Sequence, residues 1–76
     1  MDKFTAFFYS DSWKVIYTIY ALDRDHALKM CGIIKRTELD DKKNNYRLAA
    51  LDFESRADED HDGIARWICE GVDELM

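Results

Sequence analysis

The chain has 76 residues, a formal net charge of -5 and 47% hydrophobic residues, including two Trp, four Tyr and four Phe. A chain of this length makes one small domain that buries only about 60% of the surface its unfolded form exposes, and its aromatic content excludes a disordered polymer. The charge is uneven: residues 1 to 51 hold nine Lys and Arg against seven acids, and residues 52 to 76 hold nine acids against Arg56 and Arg66, a field that disfavours direct nucleic-acid binding and attracts a basic surface.

The N-terminal stretches "KFTAFFYS" and "WKVIYTIYA" are rich in aromatic and β-branched residues and flank Ser10, Asp11 and Ser12, the composition of a β-hairpin. Alternation places Trp13, Val15, Tyr17, Ile19 and Ala21 on one face with Phe4, Ala6 and Phe8, which is the expected core side. The opposite side carries Phe7, Tyr9, Ile16 and Tyr20, a contiguous apolar patch too aromatic for an ordinary wet surface. Either another element of the chain covers that patch or it is an interface. An RNA-stacking role fits poorly, because Lys14 is the one basic residue within it.

Asp23 is a good helix N-cap with Asp25 in the first turn, and Ala27, Met30, Cys31 and Ile34 recur at helical spacing behind it. Gly32 sits inside this helix or ends it, in which case residues 33 to 39 form a further strand. The polar "TELDDKKNN" is a connector. In "YRLAALDFE" both periods fit, and the aromatic ends with the preceding Asn-Asn favour a strand. Ile64, Trp67, Ile68, Val72 and Leu75 form an apolar stripe at helical spacing, which predicts a second helix. The expected fold is therefore α+β: an antiparallel sheet beginning with the hairpin and two helices on one face, in ββαβα order.

"ADEDHDG", residues 57 to 63, resembles the first half of a calcium loop. Counting Asp58 as loop position one puts Cys69 at position twelve, where a bidentate Glu is required, so no metal is expected. As the start of a helix, Asp58, Glu59, Asp60 and Asp62 are explained by the unpaired N–H groups and dipole there. Cys31 and Cys69 stand at no usual zinc spacing from His26 and His61. The chain carries no glycine-rich phosphate loop and no paired histidine and nucleophile, so neither an enzyme nor a cofactor is expected. No apolar stretch reaches the length of a secretory signal or membrane span, which points to a cytoplasmic protein with reduced thiols and no membrane contact.

The hairpin followed by "YTIYALDRDHALKM", a strand ending in Ala, an acidic helix cap and a His-Ala-Leu opening, resembles the strand-to-helix passage of small phage-encoded inhibitors. These include the host RNA polymerase inhibitors of T7-like phages and small anti-CRISPR proteins. The resemblance covers about residues 4 to 35 and not the acidic C-terminal third. It implies a protein that blocks a host nucleic-acid-handling or defence protein by binding it, in the host cytoplasm. The charge distribution fits that reading, with Asp58, Glu59, Asp60, Asp62, Glu70, Asp73 and Glu74 as an electrostatic contact to a basic protein surface. Phe7, Tyr9, Ile16 and Tyr20 form a second, apolar contact. The alternative is a structural or regulatory homodimer joined through the aromatic sheet face, the acids serving only solubility.

Overall fold

Alternating apolar residues separated by a serine-bounded turn bring the first two segments together as β1 (Asp2–Tyr9) and β2 (Trp13–Ala21). Ser10 shapes the turn: its N–H donates to the Trp13 carbonyl at 2.7 Å, and its hydroxyl accepts from the N–H groups of Trp13 at 3.1 Å and Ser12 at 3.3 Å. In this computed structural model, which describes residues 1–40, 42–56 and 64–75, helix α1 (Arg24–Thr37) follows, then β3 (Arg47–Arg56) and β4 (Arg66–Glu74). The four strands form one antiparallel sheet in the order β3-β1-β2-β4. The two late strands therefore flank the hairpin on opposite edges.

Helix α1 starts where Asp23 accepts a hydrogen bond from the His26 N–H at 2.8 Å, which satisfies one of the unpaired donors of its first turn and is worth about 1 kcal/mol. Ala27, Met30, Cys31 and Ile34 are its buried residues. They cover a sheet face built from Phe4, Ala6 and Phe8 paired with Ile19, Tyr17 and Val15. Arg24 ties the helix to β3 by donating to the Leu51 carbonyl at 2.6 Å. Ile34, Ile19 and Phe8 are among the largest fully buried side chains, so the core is one layer between α1 and the hairpin.

Gly32 lies within α1, and residues 33 to 37 continue the helix instead of starting a strand. A Cβ at Gly32 meets only the Arg36 Nη1, at 3.7 Å. Gly32→Ala is therefore expected to stabilise the protein by about 0.5–1 kcal/mol, visible as a rise of roughly 4 °C in the thermal midpoint.

The expected ββαβα order with two helices is overturned, because the last element is the strand β4 and the order is ββαββ. The cause is a β-bulge in a strand that is apolar on both faces. Tyr17 pairs with Cys69 and Ile16 with Gly71, so Glu70 is an extra residue in the ladder and the inward-facing positions run Trp67, Cys69, Val72. One bulge changes the spacing from two to three, and with Ile68 on the side opposite Trp67 and Val72 the apolar residues of both faces read together as a helical stripe. Gly71 is a poor helix former beside the bulge, and the β-branched Ile68 and Val72 with Trp67 suit a strand.

Candidate functional site

The helix covers one side of the sheet. No described element covers the other, and β3 and β4 extend it beyond the hairpin. Register fixes its rows. Tyr9 lies between Arg47 on β3 and Lys14 on β2, which is followed by Asp73 on β4. The next row is Ala50, Phe7, Ile16 and Gly71, and the third is Asp52, Thr5, Thr18 and Ile68. Lys3, Tyr20 and Arg66 close the far end.

Two features stiffen this face. Thr5 and Thr18 oppose each other at its centre, and each hydroxyl donates outward to a carboxylate displaced into reach by a bulge: Thr5 to Glu54 at 2.6 Å, Thr18 to Glu70. Thr18 is buried, at 3% exposed. At opposite corners a guanidinium sits over an aromatic ring, Arg47 over Tyr9 at 5.1 Å and Arg66 over Tyr20 at 4.9 Å. Such stacking holds the rings flat and is worth about 0.5–1 kcal/mol at exposed sites.

The face is apolar in the middle and charged at the rim. Ile68 is 53% exposed and Tyr9 37%, with Phe7, Ile16 and Tyr20 half-buried. Lys3, Lys14, Arg47 and Arg66 balance Asp52, Glu54, Glu70 and Asp73, so the face is neutral although the chain carries -5. Lys14 and Asp73 approach to 3.9 Å, and Arg47 reaches Asp11 at 3.7 Å. Both pairs are exposed and contribute little to stability.

Phe7, Tyr9, Ile16 and Tyr20 thus stand together as the alternation predicts. Glu70, Asp73 and Glu74, expected on the outer side of a helix, are on β4 and do not form one acidic surface. Glu70 and Asp73 face the open side, engaged by Thr18 and Lys14, whereas Glu74 pairs with Trp13 on the helix side. Asp58, Glu59, Asp60 and Asp62 lie outside the described residues, and so does the calcium question they raise. Ile68, Arg66 and Arg47 belong to the face and were not assigned to it from the sequence. Ile68 stood in the helical stripe, and the cations join only through the order of the strands.

Elsewhere, His26 accepts from the Leu22 N–H through Nδ1 at 3.2 Å, a structural part in the start of α1. Burial pushes the Cys31 thiol up to about 11, opposed by the Arg24 charge, so it stays protonated near neutral pH. Burial also pushes the Tyr17 hydroxyl up to about 12, with smaller contributions from Cys69, Glu38 and Tyr46 and a hydrogen bond to Cys69. Among the described residues no group of three or more His, Cys, Asp or Glu is arranged to hold a metal ion, and no helix is long and apolar enough to cross a membrane.

A helix-backed antiparallel sheet with an open aromatic face is the architecture these residues define. No protein-family model, curated protein or solved structure matches the chain.

Proposed function

We propose that this chain is a small non-enzymatic binding protein whose working surface is the open face of the sheet. The observation that carries the reading is the half-exposed cluster of Phe7, Tyr9, Ile16, Tyr20 and Ile68 on a sheet side that no described element covers. Contiguous apolar area of this kind, rimmed by charges, marks interaction sites on small proteins. The hydroxyl–carboxylate and cation–π contacts hold the rings in place before binding, which lowers the ordering cost of association.

The seven-charge acidic excess of residues 52 to 76 favours a protein partner with a basic surface over nucleic acid. The likeness of residues 4 to 35 to small phage inhibitors supports a target among host nucleic-acid-handling or defence proteins, met in the host cytoplasm. Affinity capture from a bacterial lysate tests both points when wild type is run beside Ile68→Asp. That substitution places a charge at an exposed position and leaves the core intact. Capture is expected to fall at least about tenfold in the variant, the loss typical of a central interface residue, and to weaken for wild type at raised salt. Equal capture by the two proteins overturns the assignment of the face.

A further inference from the structure

The charges at the rim of the open face alternate from corner to corner. At the hairpin-turn end β3 contributes Arg47 and β4 contributes Asp73; at the other end β3 contributes Glu54 and β4 contributes Arg66. We infer that this face binds a second copy of the chain, forming a face-to-face dimer whose two-fold axis runs parallel to the strands between β1 and β2. The inference rests on the proposed role of the face as a binding surface and puts a second copy there in place of a basic partner.

A rotation about that axis exchanges β3 with β4 and β1 with β2 at the same height along the strands. Arg47 then meets Asp73 of the second copy, and Glu54 meets Arg66 of the second copy, so all four corners are matched. In the middle rows Phe7 lies over Ile16 of the second copy and Thr5 over Thr18, because these are partners in the β1–β2 register. An isologous interface requires a patch complementary to itself, and the corner-alternating pattern meets this at the four corners, while between them Asp52 comes over Ile68 of the second copy. Neutrality matters as well. Two chains at -5 each repel, and the open face adds nothing to that repulsion when two copies meet.

Area sets the strength. Four strands about 4.8 Å apart and eight residues long, at about 3.3 Å each, offer roughly 500 Å² per copy. Twice that is about 1,000 Å², the lower limit for a specific interface. The dimer is therefore a reversible one that dissociates on dilution in the micromolar range. Aligned sheet packing at about -30° needs the axis to depart from the strand direction by about 15°.

Sedimentation equilibrium from low micromolar to near-millimolar protein tests this. Wild type is expected to pass from monomer to dimer over that range. Glu54→Arg alone should weaken the dimer at least about tenfold, since the symmetric interface contains the altered pair twice. The double variant Glu54→Arg with Arg66→Glu restores the pair with its signs reversed and should return the dissociation constant to within about threefold of wild type, the scale of one weak surface pair. Circular dichroism confirms that the variants fold. A wild-type monomer throughout, a dimer indifferent to Glu54→Arg, as pairing through the free edge of β4 would be, or a double variant as weak as the single one each overturns the inference. A monomer that still captures another protein, and loses it with Ile68→Asp, sinks the dimer while leaving the binding face standing.

Discussion

Replacing Phe8 by alanine is expected to remove most of the stability of this protein. Phe8 is 1% exposed, lies between Val15 and Leu48 in the register, and meets the Tyr17 ring edge-on at 5.8 Å and 85°. Emptying a buried phenylalanine site costs about 3–5 kcal/mol through lost transfer energy and the cavity left behind. A 76-residue domain has a total of roughly 4–11 kcal/mol, and a one-layer core places it toward the low end. Phe53→Ala is the comparison. Phe53 also makes an edge contact, to Phe4 at 5.7 Å, but is 58% exposed, so it should cost about 1 kcal/mol. Urea unfolding followed by circular dichroism reads both. Equal midpoints for the two variants would show that the layer under α1 is not where the stability resides.

That layer was legible in the sequence because its residues follow uninterrupted periods. Phe4, Ala6 and Phe8 alternate, as do Val15, Tyr17, Ile19 and Ala21, while Ala27, Met30, Cys31 and Ile34 keep the helical spacing; all are buried. Trp13 departs from the pattern, at 37% exposed, because it begins its strand and its partner on β4 is the exposed Glu74. β3 read correctly as a strand from its aromatic ends and preceding asparagines, although its alternation is broken twice, by shifts of register between Lys3 and Phe4 and between Phe7 and Phe8 of its neighbour.

β4 was misread because apolar residues stand on both of its faces, Trp67 on one and Ile68 on the other, and a bulge then breaks its alternation. The misreading carried a functional error with it. As a helix, residues 64 to 75 would turn Glu70, Asp73 and Glu74 away from the apolar stripe together; as a strand they are divided between two faces. The same error hid half of the open face. Alternation within the hairpin identifies Phe7, Tyr9, Ile16 and Tyr20, but Arg47, Glu54, Arg66, Ile68 and Asp73 join them only when β3 and β4 take opposite edges. No single-segment pattern encodes that placement. The corner-alternating charges are a property of the sheet order, which is why the acidic balance of the C-terminal third suggested a partner of opposite charge and the assembled face suggests a second copy.

Alkaline pH is expected to unfold the protein through two of its core side chains. In the folded state the Cys31 thiol keeps its proton up to about 11 and the Tyr17 hydroxyl up to about 12, against 9.0 and 10.0 for the free groups. Burial is the main cause for both, since an apolar layer disfavours the thiolate and the phenolate. In that window the folded state binds more protons than the unfolded one, so stability falls as pH rises. The stabilisation is complete below about pH 9 and is lost progressively toward pH 12, each pH unit of separation being worth about 1.4 kcal/mol per group. Together the two groups amount to roughly 5 kcal/mol, enough to carry a domain of this size through its unfolding transition. Tyr17→Phe isolates the contribution of the Tyr17 hydroxyl. It keeps the ring packed against Phe8 and gives up the hydrogen bond to Cys69, so it should be about 1 kcal/mol less stable than wild type at neutral pH and more stable near pH 12. The two curves of stability against pH must therefore cross. Parallel curves would mean that the Tyr17 hydroxyl ionises as freely in the folded chain as in the unfolded one, and that the layer beneath α1 admits water.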